Sequence, residues 1–532
     1  MKAAGRFPGE LIVWMVSYAF FLLTLVSNFS AAHDSINYLN GIVRGTNLFH
    51  QHHLLYHVTA HYWLMAWKTI FSSTPDHFLI EAYSAVWGSS SLALIYLFYR
   101  NRFGLSIPAS AAGVIIIGLS YGMWFYSVNI EVYAPPIFFI LSILYIVTRK
   151  NFSQKDIWNI SLLHCFAILF HQVNILFAIV ILYVILTNRH GIKTGSAIVQ
   201  YALTGFIITA GAYFIAGWII EGHHSFPAWI GWMEGYTVGH GYWQPLSLKT
   251  PLHVIAGFAH AFIGGHFIFQ LPGVREYFQR SFDTHGLNDE LFLSAHISPA
   301  LALTLAILTA ALVFFLLTLA IRFTRQYKII SRRAGIIVKP ILLCIVTYSL
   351  FFCFWMPEIL EFWILQMALV WLLVIGMLPV MRFPFRLPQT GMLFLIGALL
   401  FFINFFGSLK WLQDINNDWY FARVEKISHA ALTGDLVFAE QGWILKDFLK
   451  YYTAADIVSP DDPGYSQSFA DSLVAAKLSA QHKVYIYPSA GGGHNAANGP
   501  RDEGVFVNAL LNRYPGRRKL FNEKEPLIYI IE

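Results

Sequence analysis

Charge is scarce in this 532-residue chain: only 12% of its residues are Asp, Glu, Lys or Arg, against roughly 25% in an ordinary soluble domain. A chain so poor in charge cannot clothe a water-facing surface of this size, which excludes a wholly soluble protein. Cysteine is nearly missing. The three present, Cys165, Cys344 and Cys353, all lie in apolar segments, which excludes both a disulfide framework and a zinc knuckle. Clustered positive charge is lacking too. The net charge of +6 is scattered through short loops, as the positive-inside rule requires of a membrane protein, so a nucleic-acid partner is rejected. No internal repeat is found. The glycines at 491–493 follow a strand-like stretch but lack the spacing of a phosphate-binding loop and are read as a plain turn.

Apolar residues are abundant: 57% of the chain is hydrophobic and 17% aromatic. A helix needs about 20 apolar residues to cross a bilayer. Such runs occur at 11–30, 81–99, 105–126, 134–148, 197–220, 297–321, 336–356, 360–381 and 391–409. The stretch 157–187 is too long for one untilted helix, and its polar middle, His171, Gln172 and Asn174, predicts two short helices meeting at a polar tip. The stretch 252–269 holds three histidines and several glycines and reads as interfacial or re-entrant rather than lipid-exposed. The expected fold is therefore an α-helical polytopic membrane protein of about eleven crossings.

Basic residues set the orientation. Lys2 and Arg6 precede the first run, and Arg100, Arg149, Arg189, Arg325 and Arg382 fall in alternate turns, which puts the N-terminus in the cytoplasm of a cell inner membrane. A cleaved signal peptide is the competing reading of the first run, but that run exceeds the usual apolar core of a leader. Residues 1–409 then form the membrane domain, with outer loops at 31–80 and 221–296. Residues 410–532 gain Asp, Lys, Asn and Gly and form a small extracytoplasmic α/β domain. Strands are expected at 434–440, 455–460, 482–490 and the terminal LIYIIE, with helices at 443–452, 465–480 and 503–513.

Chemistry concentrates in the outer loops. AAHDSINYLN at 31–40 places His33 and Asp34 at the outer end of the first run; a carboxylate there is either a functional acid or a helix cap. HQHHLLYHVTAH at 50–61 supplies His50, His52, His53, His57 and His61, of which the last three share a helical face at four-residue spacing, fit for a metal or a phosphate, or simply for an amphipathic interface. YSVNIEVYAPP at 126–136 holds Glu131 and Tyr133 at a proline-interrupted turn facing water. WMPEILEFWI at 355–364 holds Glu358 and Glu361, three apart and able to share a face. In these outer loops His52, His53, His171 and Arg275 can donate hydrogen bonds to oxygen, and Gln172 lies beside His171.

An outer-loop aspartate after the first span, then QHHLLYH at 51–57 and NIEVYA at 129–134, resembles the polytopic GT-C glycosyltransferases, particularly the protein mannosyltransferase-like branch. The likeness covers about the first 190 residues. It implies transfer of a sugar from a polyprenyl-phosphate donor to a glycan, lipid or protein acceptor at the outer face of the membrane. It implies Asp34 as general base, in an inverting reaction, and Glu131 as a second acidic contact. His33 stands where members with paired acids carry another carboxylate, so no cofactor is assigned and a divalent metal stays open. Two other classes compete. A transporter would place its ionisable groups at mid-depth, and a membrane-anchored binding protein would act through its C-terminal domain.

Overall fold

The computed structural model describes residues 8–187, 192–237, 242–281, 287–333, 335–380, 389–439, 442–459, 462, 464–487, 510–522 and 528–532. The glycine run at 491–493, Arg189, Arg382, and most of the helix expected at 503–513 lie outside them. The chain forms two compact units. The first comprises Met1–Ser27, Gly41–Leu271 and Ile297–Gln413; the second comprises Asn28–Asn40, Pro272–His296 and Asp414–Glu532.

The first unit is helical. Its early elements are α1 (Gly9–Leu22), α2 (Asp34–Arg44, entering from the second unit), α3 (Tyr56–Lys68), α4 (Asp76–Asn101), α5 (Ile107–Gly118), α6 (Tyr121–Ser127), α7 (Ala134–Val147), α8 (Gln154–Phe170) and α9 (Ala178–Thr187). Among the described residues five helices are long and apolar enough to cross a membrane, six if the bent pair α5 and α6 counts as one, and shorter apolar helices such as α1 and α7 accompany them. By length and composition the described residues thus hold five or six candidate spans, against about eleven expected from the sequence. Pro299–Ile321 is only 17% buried whereas Leu360–Met377 is 78% buried, which separates a lipid-facing helix from a central one. Close helix approach rests on small residues. A Cβ on Gly88 would collide with Ser127 Oγ, and one on Gly113 would lie 2.6 Å from the Tyr99 ring.

Breaks in these helices are satisfied internally, as hydrocarbon demands. The axes of α5 and α6 meet at 74°. Asn404 Nδ2 donates to Leu119 O at 2.7 Å and to Phe262 O at 3.1 Å, while its Oδ1 accepts from Gly264 N at 2.9 Å. One buried amide thus serves the α5–α6 bend and the end of the helix Thr250–Phe262. That helix has 13 residues, about 20 Å of rise against a hydrocarbon core of about 30 Å, so untilted it falls short of a crossing. The 157–187 stretch divides as its polar middle suggested: α8 ends at Phe170, His171 is extended (φ −159°, ψ 114°), and a 3₁₀ turn Gln172–Phe177 leads into α9.

In the second unit a five-stranded sheet runs in the order β2-β1-β3-β5-β4, built from β1 (Leu436–Phe438), β2 (Asp456–Val458), β3 (Val484–Ile486), β4 (Arg518–Asn522) and β5 (Ile528–Ile531). β1 pairs in parallel with β2 and β3, and β5 runs antiparallel to β3 and β4. Leu436, Phe438, Val484, Ile486 and Ile531 face Ala470 and Val474 of the helix Gln467–Ser479 in its core. The helices Trp443–Tyr452 and Gln467–Ser479 fall where periodicity placed them.

Candidate functional site

In the second unit the Asp34 segment is fastened by side chains nearly 400 residues away. The buried Asp418 carboxylate accepts from Phe29 N at 2.7 Å, Ser30 N at 3.0 Å, the Ser30 hydroxyl and Phe421 N at 2.9 Å. Asp447 takes Asn37 Nδ2 on its carboxylate at 2.8 Å and Asn40 Nδ2 on its backbone oxygen at 2.9 Å. Asp34 itself lies inside the first turn of α2 rather than ahead of it as a cap, and Tyr38 Oη, one turn on, approaches its Oδ2 at 3.4 Å. Asp34 is exposed at its surface, but the protein around it strips enough water from the carboxyl to push it above the ordinary carboxylate range, against the opposing pull of His33 and Tyr38. A raised pKa makes a carboxylate a better proton acceptor near neutral pH.

His33 donates through Nε2 to Asp289 Oδ2 at 3.3 Å. Burial pulls its pKa down, but the bond to Asp289 and the charges of Asp289, Asp34 and Asp418 leave it raised overall. Burial and the neighbouring Asp289 hold the Glu290 carboxyl well above its usual value, whereas bonds from Glu290 and His33 outweigh burial and hold Asp289 below its own. Arg275 sits exposed on the helix Val274–Ser281 of the same unit.

In the first unit a second cluster forms where α6 ends and α7 begins. Pro135 and Pro136 occupy the first turn of α7, where their fixed φ and missing N–H suit a helix start; they begin the helix rather than interrupt it. The turn ahead of them folds inward, so Glu131 is only 3% exposed and does not face water as expected. Its carboxylate lies within electrostatic reach of the Tyr56 and Tyr126 phenols. Tyr133 Oη donates to Glu361 Oε1 at 2.6 Å and Tyr126 Oη to Glu361 Oε2 at 2.9 Å. The Tyr133 ring meets that of His171 at 5.2 Å.

The histidines pack around the break after α8. His52 Nδ1 donates to Gln172 Oε1 at 2.9 Å and Gln172 N donates back to His52 O at 3.0 Å. The His53 ring stacks on His50 at 5.2 Å and meets His171 edge-on at 4.7 Å. His53 precedes α3, whereas His57 lies within it and His61 turns its Nδ1 to Ile42 O at 2.6 Å. The single helical face of three histidines is thus not formed. Burial, reinforced by neighbouring imidazoles, lowers His50 to about 4, His57 to about 3 and His53 well below its ordinary value. At neutral pH the loop therefore offers hydrogen-bond donors and acceptors rather than positive charge. Among the described residues no group of three or more His, Cys, Asp or Glu side chains is arranged to hold a metal ion.

No family model and no curated protein matches this sequence. The structure does find a match. ArnT from Cupriavidus metallidurans bound to undecaprenyl phosphate aligns over 98% of this chain and 96% of its own, at 9% identity and a TM-score of 0.53. The chain shares the fold of that ArnT. The apo state of that ArnT aligns over the same shares at 11% identity and a TM-score of 0.47.

Within this fold, His52, His53, His57, His171, Gln172, Tyr133, Glu131 and Glu361 gather in the first unit, and His33, Asp34 and Arg275 belong to the second. Glu358 parts from Glu361. The backbone reverses at Met356 (φ 43°), so only Glu361 enters the 3₁₀ turn Leu360–Trp363, while Glu358 bonds Gln244 Nε2 at 3.2 Å and faces His253 Nδ1 at 3.6 Å. The two acids do not share a helical face. Sequence reasoning missed Tyr126, Asp289, Glu290 and Asp418. Tyr126, Asp289 and Asp418 bond partners 235, 256 and 389 positions away, and no local pattern marks such pairs.

Proposed function

We propose that this protein is a membrane glycosyltransferase that moves a sugar from a polyprenyl-phosphate donor to an acceptor at the outer face of the membrane, with inversion. The observation that carries the reading is the near-full-length likeness to an ArnT structure holding undecaprenyl phosphate. Asp34 serves as general base. Its raised pKa suits it to take the acceptor's hydroxyl proton as the oxygen attacks the anomeric carbon, while the bond to the donor phosphate breaks and the phosphate leaves with both electrons. Glu131 is the second acidic contact. The leaving phosphate is met by hydrogen bonds from neutral imidazoles such as His52 and His53, and by Arg275 as the cationic alternative. The N-terminus lies in the cytoplasm, and residues 410–532 act outside it as a domain attached to the membrane domain 1–409. The donor lipid enters from the leaflet, and the acceptor is a glycan, lipid or protein.

The test is transfer by the purified full-length protein in nanodiscs, supplied with undecaprenyl-phosphate sugars and a cell-envelope extract as acceptor. Sugar appearing on an acceptor, with its anomeric configuration inverted and free undecaprenyl phosphate released, supports the reading. In sealed vesicles, uptake of lipid-linked or free sugar with no product formed would assign a transporter instead.

A further inference from the structure

Gln366 lies within the first turn of the helix Ile364–Met377, in the longer span Leu360–Met377. It is 1% exposed, and neither its amide nitrogen nor its amide oxygen has a partner among the described residues. Buried amides are nearly always paired, and an orphan with both a donor and an acceptor to spare requires an explanation. The side chain lines a small cleft, partly open to the surface, together with Tyr133, His171, Asn174, Tyr348 and Glu361.

The other polar groups there are committed to one another. Tyr133 donates to Glu361, Tyr348 Oη donates to Asn174 Oδ1 at 2.9 Å, and Asn174 Nδ2 donates to His171 O at 2.9 Å. These bonds fix the walls. Among the described residues no lysine or arginine lines the cleft, so its walls lack the cations that recognise a phosphate. Phe352 and Phe362, stacked at 4.8 Å, add apolar surface. Aromatic walls, one carboxylate and a spare amide suit a neutral ring with hydroxyls: its C–H faces pack on the aromatics, and adjacent hydroxyls pair with an amide that donates to one and accepts from the next.

We propose that this cleft receives the sugar of the donor and that Gln366 reads two neighbouring hydroxyls of it. The assignment rests on the glycosyltransferase reading above and adds to it the part of the donor that the first unit selects. Phosphate recognition is separate, with the imidazoles of the 50–57 loop.

Binding to the full-length protein in nanodiscs tests it, with undecaprenyl phosphate alone and the same lipid carrying mannose, glucose or xylose as probes. For the wild type, at least one sugar-bearing lipid binds about tenfold tighter than the bare lipid. Gln366→Met, close in size and without the amide, erases that advantage, leaves the bare lipid within about twofold and raises the melting temperature by removing an unpaired buried group. Gln366→Asn, which withdraws the amide by one carbon, gives the same loss of sugar preference and guards against a folding defect in the first variant. Should either variant keep the sugar preference, or the wild type show none, the cleft holds only water and the proposal is overturned. If the wild type binds no lipid phosphate at all, the glycosyltransferase reading fails, and this assignment falls with it.

Discussion

Asp34 and the histidines carry opposite electrostatic consequences of the same cause. Burial raises a carboxyl and lowers an imidazole, because in both cases it disfavours the charged form. The Asp34 carboxyl therefore titrates above the roughly 3.9 of a free aspartate, while His50 and His57 stay neutral down to about 4 and about 3. A base works only when deprotonated, so transfer is full above the raised Asp34 value and falls away as the pH drops through it. The expected acid limb of kcat/KM lies above the ordinary aspartate range, and it persists when His50 and His57 are replaced by Gln. A limb that moves with those histidines would show that they, and not Asp34, set the proton balance.

Segments of irregular backbone do more positioning than the helices they interrupt. The 28–40 stretch is held by Asp418 and Asp447, and replacing Asp418 with Ala orphans the buried Phe29 and Ser30 amides. That change should cost roughly 1–3 kcal/mol of stability in denaturant titration and lower transfer further than the stability loss explains, since Asp34 loses its anchor. Asn404 plays the corresponding part in the first unit. Asn404→Leu leaves the carbonyls of Leu119 and Phe262 without their donor, and a drop of several degrees in the detergent melting temperature is expected; an unchanged melt would mean that the bend is satisfied otherwise. Neither role was legible in the sequence, where Asp418 and Asn404 are single polar residues amid ordinary context. The break at His171 was legible, because the polar triplet His171, Gln172 and Asn174 interrupts an apolar stretch of awkward length. The inward fold of the Glu131 turn was not. Prolines signal irregular backbone but not which way it faces.

As a molecule, the chain announced its class through composition and its C-terminal sheet through short apolar runs. Four of the five described strands lie where such runs occur. β4 escaped because RKLFN opens with two cations, which suits the edge it occupies beside β5 but hides the strand pattern. The number of crossings was harder, since several apolar helices are short, bent or broken and length ceases to be a measure of span. The site was legible as a set of loops but not as a geometry: of the acids expected in it, Glu131 and Glu361 join the tyrosine cluster, Glu358 turns elsewhere, and Asp34 belongs to a unit assembled from three separate stretches. The central claim is that Asp34 is the base of a sugar transfer from a lipid phosphate. Its most direct test is the single-turnover rate of Asp34→Asn in nanodiscs at saturating undecaprenyl-phosphate sugar. The account predicts a fall of about 10²- to 10⁴-fold with binding of the lipid phosphate retained, whereas a rate equal to that of the wild type would contradict it.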